Sequence, residues 1–292
     1  MIKSKGERAF DIFNVILMIL FAAMFVLPAV LIVCASFTSA DALTQYGYSL
    51  IIRKFDLGSY AYIFLAQDLF MRSMLNSLIL TAASTFIMVI TTSLYAYAVT
   101  RPELQFKKLF NLLLVIPMLF SGGTIPYYLV INDLKLMNTM WAIILPCGVN
   151  AWYIMLTKNY FSGLPESLTE SAKLEGANNL QVLYKIVFPL GFPMIATIIL
   201  YSAVAVWNDW FQAMLFLDSS HKHLWPVQSI VRELNTDFKS LVNDIGGGST
   251  ANLNAEGIKS AAVVLSTVPI IIVYPFLQRY FINGTLVGGV KE

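Results

Sequence analysis

Apolar residues gather into long, nearly unbroken runs at residues 12–36, 74–100, 109–131, 139–157, 190–217 and 260–283. Each run is close to the roughly 20 residues that an α-helix, rising about 1.5 Å per residue, needs to cross a hydrocarbon layer of about 30 Å. Backbone polar groups find no water in lipid, so apolar runs of this length fold as helices, and the ten-residue alternation of a membrane barrel is absent from the sequence. The pattern predicts an all-α polytopic membrane protein with six transmembrane helices. The first run is about 25 residues long against the roughly 7 to 15 of a signal-peptide core, and is read as an uncleaved helix. Val33 stands where a lipoprotein cleavage site before Cys34 needs a small residue.

Two runs carry breaks. Pro117, Gly122, Gly123 and Pro126 interrupt the third, and Pro146 and Gly148 the fourth. Irregular backbone at membrane depth is tolerated where it is buried in protein or lines a cavity, so both breaks are expected to border a path or its outer gate. Asn150 in the fourth run and Asn208, Asp209 and Gln212 in the fifth are costly in lipid and must face protein or water. Two readings stay open for them: lining a polar path beside the aromatic faces of Trp152, Trp207 and Trp210, or joining and capping helices. Thr81, Ser84, Thr85, Thr91 and Thr92 give the second run a small, hydroxyl-rich character suited to close helix packing.

Hydrophobic residues make up 58% of the chain and charged residues 12%, with a mean hydropathy of +0.70, which leaves too little polar surface for a soluble globule of 292 residues. Six crossings that start inside place 1–11, 101–108, 158–189 and 284–292 in the cytoplasm, with both termini there. Lys3, Lys5, Arg8, Arg101, Lys107, Lys108, Lys158, Lys173, Lys185 and Lys291 fall in these segments, and Arg279 lies near the inner end of the last run, in keeping with the positive-inside bias. Most remaining basic residues lie in two long outer segments, 37–73 and 218–259, where that bias is weak. The first outer segment carries Tyr46, Tyr48, Tyr60, Tyr62 and Phe64, which suit an interfacial aromatic belt. The second carries an apolar-periodic piece over 227–234, expected as a surface helix, and a flexible tip at Gly246-Gly247-Gly248-Ser249-Thr250.

Chemistry of the usual kinds is missing from the sequence. The net charge is +2 with no basic run, so no nucleic-acid partner is expected. Cys34 and Cys147 both fall in apolar runs and make neither a disulfide framework nor a zinc set, and His221 and His223 read as part of a solvated loop. No catalytic or metal site is therefore assigned. The Gly246 run lacks the Gly-Lys-Ser/Thr ending of a phosphate loop, so ATP, if it drives the process, is hydrolysed by another subunit.

The most informative stretch is polar and lies between two apolar runs, from Pro165 to Pro189. Pro165 suits the first turn of a helix with Glu166, Thr169 and Glu170 near its positive end, and Gly176 suits a left-handed stop. A second helix is expected to start at Asn178 or Asn179 and to run through Leu180, Val182, Leu183, Ile186 and Val187 to Pro189. The small residues Ser171, Ala172, Gly176 and Ala177 leave room for another protein to approach closely. An amphipathic hairpin lying on the membrane satisfies the same spacing.

The loop also resembles the EAA motif of ABC importer permeases, E-A-A-x-x-D-G-A followed by an Ile and a Pro. It reads Glu170-Ser171-Ala172, Glu175-Gly176-Ala177, Ile186 and Pro189, with Ser171 for Ala and Glu175 for Asp. Further stretches resemble carbohydrate-importer permeases of the maltose type, in their LplC-like branch: 121–126, 136–141, Trp207-Asn208-Asp209-Trp210, 224–228 and 274–281, in order over roughly 70–291. The resemblance implies a type I ABC importer permease fold, with 1–73 as tail, first helix and outer loop, 74–283 as the core domain holding the docking loop 158–189, and 284–292 as a cytoplasmic tail reaching toward the ATPases.

By the same resemblance the chain is a non-enzymatic, cofactor-free subunit of a bacterial cytoplasmic-membrane importer of oligosaccharides. It would pair with a second, homologous permease, two ATP-binding cassette subunits that hold ATP and Mg, and an extracytoplasmic solute-binding protein. Glu170, Ser171, Ala172, Glu175, Gly176, Ala177 and Pro189 would couple to the ATPase. Asn150, Trp152, Trp207, Asn208, Asp209 and Gln212 are the candidates for the substrate path. The alternatives are an ABC permease for a non-sugar solute and an ion-coupled secondary transporter.

Overall fold

The computed structural model describes residues 5–66, 68–236 and 254–289, and every regular element among them is a helix. In chain order these are α1 (Lys5–Ser36), α2 (Ala40–Tyr46), α3 (Gly58–Ala66), α4 (Asp68–Thr100), α5 (Lys107–Leu119), α6 (Thr124–Asp133), α7 (Trp141–Cys147), α8 (Ala151–Ser162), α9 (Glu166–Leu174) and α10 (Asn179–Val182). A π-helical turn (Leu183–Val187) leads into α11 (Phe188–Leu190), followed by α12 (Phe192–Trp207), α13 (Phe211–Phe216), a 3₁₀ turn (Ser219–Leu224), α14 (Val227–Thr236) and α15 (Ala255–Gly289). The expected tip at Gly246–Thr250 lies outside the described residues.

Among the described residues three helices are long and apolar enough to cross a membrane, at Phe10–Ser36, Asp68–Thr100 and Ala255–Pro275. A fourth arises if Asn179–Leu190 and Phe192–Trp207, which meet at 81°, form one span. The third, fourth and fifth apolar runs are thus divided, and each division has a local cause. Pro117 lies near the end of α5, after which Gly123 takes φ +84, a left-handed value that only glycine adopts without strain, and starts α6. Between α7 and α8 the freed Gly148 carbonyl accepts a hydrogen bond from Thr91 Oγ1 of α4 at 2.6 Å, while Asn150 Oδ1 caps α8 through the N–H groups of Trp152 and Tyr153. In the fifth run α12 ends at Asn208, whose amide donates to the Val204 carbonyl, and Asp209 Oδ1 accepts from Phe211 N and Gln212 N to start α13. Polar residues in apolar runs here satisfy backbone that lipid cannot.

The chain divides into two compact units, residues 1–70 with 233–268 and residues 71–232 with 269–292. In the first unit, α1 exposes apolar side chains from Phe10 to Val33, as a lipid-embedded helix does. The turn after it is closed by Ser39 N to Lys54 O and Asp56 N to Phe37 O, with Phe37 stacked between Phe55 and Tyr60. Tyr48 donates to Glu256 at 2.7 Å and ties this outer segment to the start of α15.

In the second unit the outer segment before α14 is fastened to α4. Asn76 Nδ2 donates to the His223 and Trp225 carbonyls at 2.8 and 3.1 Å, and Ser77 Oγ accepts from Val227 N at 2.8 Å. Val227, Ile230 and Val231 are buried at i, i+3, i+4 spacing, so the piece expected as a surface helix is amphipathic with one face inward. At the neighbouring turn Asn138, at φ 59, donates to Asp218 Oδ2 and accepts from Asp218 N, at 2.8 and 2.9 Å.

Candidate functional site

The stretch from Pro165 to Gly191 is a helix, a glycine turn and a second, bent helix. Pro165 sits one residue outside α9, with φ −59 and ψ 119, rather than inside its first turn. Gly176 takes φ +86 and stops α9 in a Schellman arrangement: Ala177 N donates to Ala172 O at 2.9 Å and Gly176 N to Lys173 O at 3.0 Å. Of the two candidate caps Asn178 is the one used. Its Oδ1 accepts from Gln181 N and its own N–H donates to Gln181 Oε1, both at 2.9 Å, a complete capping box. Pro189 has no N–H to return to the Lys185 carbonyl and its ring crowds that group, and the helix widens into the π turn just before it.

The loop has an inward and an outward surface. Val182, Leu183 and Val187 are buried in one cluster with Ala96 and Tyr97 of α4, Leu114 of α5, Ile154 and Phe161 of α8 and Ile195 of α12, and Ala172 and Ala177 pack against its rim. Two of the four small residues therefore seat the loop on the bundle. Ser171 and Gly176 face outward with Glu170 and Glu175, and a Cβ at Gly176 would meet nothing within 4 Å. Leu168, Leu174, Leu180 and Tyr184 are exposed beside them, Leu174 at 90%. Pro189 is also exposed.

The α9 helix is tied to the turn before α5. Lys173 in its last turn pairs with Glu103, whose carboxyl is held below the usual carboxylate range by that hydrogen bond first and by its own backbone second. Arg101 lies over the Tyr97 ring at 4.5 Å. Nothing in the sequence spacing marked Glu103 and Lys173, which are 70 residues apart.

The candidate path residues separate. Asn150, Asp209 and Gln212 line one cavity of about 210 Å³ together with Tyr127, Cys147, Tyr153 and Ser202. In its wall Tyr127 OH donates to Gln212 Oε1 at 2.8 Å, and Gln212 Nε2 donates to Asp209 Oδ2 at 2.7 Å and to Cys147 Sγ at 3.3 Å. Trp207 is buried elsewhere, on an apolar recess of about 100 Å³ with Leu78, Thr81 and Tyr274. Trp152 and Asn208 are exposed and line neither cavity. The aromatic walls of the polar cavity are Tyr127 and Tyr153, which sequence reading missed. Tyr153 follows Asn150 by three residues and so shares its helix face, a legible signal, whereas Tyr127 reaches the cavity from beyond a break.

Compared with known proteins, the chain matches over residues 1–286 the family described as binding-protein-dependent transport system inner membrane component. It is 38% identical over 288 residues to the polygalacturonan/rhamnogalacturonan transport system permease protein YtcP of Bacillus subtilis (strain 168), covering 98% of this chain and 99% of that one. It is 37% identical over 290 residues to Protein LplC of the same organism, covering 99% and 97%. Its fold resembles a chain of the crystal structure of a bacterial ABC transporter involved in import of the acidic polysaccharide alginate, with TM-score 0.87, 31% identity and coverage of 96% and 99%.

Proposed function

The chain belongs to the binding-protein-dependent transport system inner membrane component family, and we propose that it is the sugar-conducting permease half of an ATP-driven oligosaccharide importer. It is a membrane permease and not an enzyme. The relatives supply the substrate class: one carries polygalacturonan and rhamnogalacturonan in its name, and the structural neighbour imports alginate. In this reading six crossings with both termini in the cytoplasm are built from the three long helices plus the broken pairs α5/α6, α7/α8 and α12/α13. The division into a 1–73 segment, a 74–283 core and a 284–292 tail follows the same reading. A second permease completes the pore, a solute-binding protein delivers the sugar, and two ATPase subunits bind ATP and Mg.

The observation that carries the proposal is the two-faced loop 166–191. One surface is locked into a cluster shared with four bundle helices, and the other offers Glu170, Ser171, Glu175 and Gly176 with exposed apolar neighbours. A partner gripping the outer surface would move the bundle, because the inner surface moves with it. Closure of the ATPase pair would then bias the pore between inward and outward openings, a coupling of two equilibria through one contact. The cavity of Asn150, Asp209, Gln212, Tyr127 and Tyr153 supplies the hydrogen-bonding groups and ring faces that a saccharide needs.

The test is ATP hydrolysis and sugar uptake in liposomes holding the chain, its partner permease, the cognate ATPase and the binding protein, over a panel of neutral and uronic oligosaccharides. One sugar should stimulate hydrolysis, and Gly176→Trp should abolish stimulation while the protein stays in the membrane, whereas Gly176→Ala, which bears the same backbone strain at φ +86 without the bulk on the outer surface, should keep most of it. An ATPase that never copurifies refutes the importer reading, and an assembled complex that no sugar stimulates refutes the carbohydrate.

A further inference from the structure

Glu103 and Lys173 lie outside the motif and outside the cavity, yet they form the contact that joins the last turn of α9 to the turn between α4 and α5. Beside that pair, the first half of α9 faces the end of α4 across a polar gap of about 130 Å³. Thr100 and Arg101 lie on the α4 side of this gap, and Glu166 and Thr169 on the α9 side. Ala172 packs the middle of α9 against the rim of the shared cluster, but across this polar gap the two sides lack the close side-chain packing that would hold the helix rigidly. The ion pair bridges the two sides one residue before Leu174, the most exposed apolar side chain of the loop.

From this arrangement we infer that Glu103 is a positioning residue for energy coupling: its bond to Lys173 straps the docking helix to α4, so that a pull on the loop reaches two bundle helices at once. One route runs through α10, the π turn and the bend at Gly191 into α12. The other runs through Lys173 and Glu103 to the end of α4, where Arg101 covers Tyr97, itself buried in the cluster that holds Val182, Leu183 and Val187. With both routes intact α9 and α4 move as one body; with the strap cut, α9 rocks across the gap and part of each ATPase stroke is lost. The inference rests on the docking role of this loop.

The pair is partly exposed, 33% at Lys173 and 58% at Glu103, so its strength is that of a surface ion pair and the effect is a graded one. Losing it should lower sugar transported per ATP by about two- to fivefold. Glu103→Gln removes the charge of the strap without touching α9, leaving at most a neutral hydrogen bond, and Glu103→Lys adds repulsion and should fall below it. Glu103→Lys with Lys173→Glu restores opposite charges and should recover most of the ratio. The readouts are copurified ATPase, hydrolysis rate and uptake in the same liposomes, at about 0.05 and 0.5 M salt, because exposed pairs are screened by salt. Retained ATPase, a lowered ratio at low salt and convergence of wild type with Glu103→Gln at high salt support the strap. A ratio unchanged in both single variants, or the same in Glu103→Lys as in Glu103→Gln, overturns it. Loss of copurifying ATPase from the wild type, or full transport by Gly176→Trp, overturns the docking role instead.

Discussion

Gly191 stands where the two halves of the bent pair meet, and it tests whether that 81° bend is built by close approach. A Cβ added there would lie 2.5 Å from Cε1 and 3.2 Å from Cδ1 of Phe161, and 2.9 Å from the Val187 carbonyl oxygen. Carbon atoms pack best at about 3.5–4.0 Å, so the ring has to retreat by about 1 Å. Phe161 is 2% exposed and enclosed by Leu183, Val187 and Ile195, which leaves it no solvent to move into. Nor can the carbonyl side yield freely, because Gly191 N already bonds Val187 O at 2.7 Å. Overpacking of this kind costs about 1–3 kcal/mol, on the order of 5 °C in the apparent Tm. Gly191→Ala should therefore lower the thermal unfolding midpoint in nanodiscs by that amount and weaken sugar-stimulated hydrolysis. Phe161→Leu, destabilising alone, should cost less in the Gly191→Ala background, since the clash and the ring vanish together. An unchanged midpoint for Gly191→Ala, or fully additive single effects, would refute the argument.

Two further outcomes follow from the same geometry. Gln212→Leu leaves Tyr127 OH and Asp209 Oδ2 without the amide that bridges them, so it should cost about 1–3 kcal/mol in thermal unfolding and reduce uptake at subsaturating sugar more than at saturation. In the outer turn, hydrogen bonds from Ser220 first and His221 next, with a further one from Asn138, hold Asp218 well below the usual carboxylate range. A depressed carboxyl stabilises the fold above its unfolded pKa of about 4 and loses that contribution as pH falls through its folded value. Limited proteolysis of the 218–224 turn between about pH 6 and 2 should thus show acid-induced opening in the wild type. Asp218→Asn should be more readily cut near neutrality and flat across the acid range; an equally steep acid response in the variant would show that another group controls the turn.

Much of the candidate site is set by short-range chemistry and was therefore legible. Gly176 stops α9 because a left-handed residue is needed there, Asn178 and Gln181 make their box within four residues, and Pro189 disturbs the helix through its own missing donor and ring. The division of the loop's small residues into two faces was not legible, because Ser171 and Ala172 are adjacent and only the bundle behind them determines which points inward. Trp207 and Trp152 were natural candidates for a sugar path by type and depth. Their placement away from the polar cavity depends on helix rotation, which a run of uniformly apolar residues does not encode.

The sequence by itself determined the helical class, the breaks in the third and fourth runs, and the stop of α9 with the cap of the helix after it, because backbone hydrogen bonding in lipid and the conformational limits of Pro, Gly and Asn act within a few residues. The break after Asn208 and the bend at Gly191 did not follow from it. Only the tertiary structure decided that Thr91 satisfies Gly148, that Tyr127 and Gln212 close one cavity with Asn150, and that Glu103 meets Lys173. Each of these joins residues tens of positions apart. Their meeting depends on how whole helices rotate, bend and pack, a balance over many weak contacts that no local pattern carries.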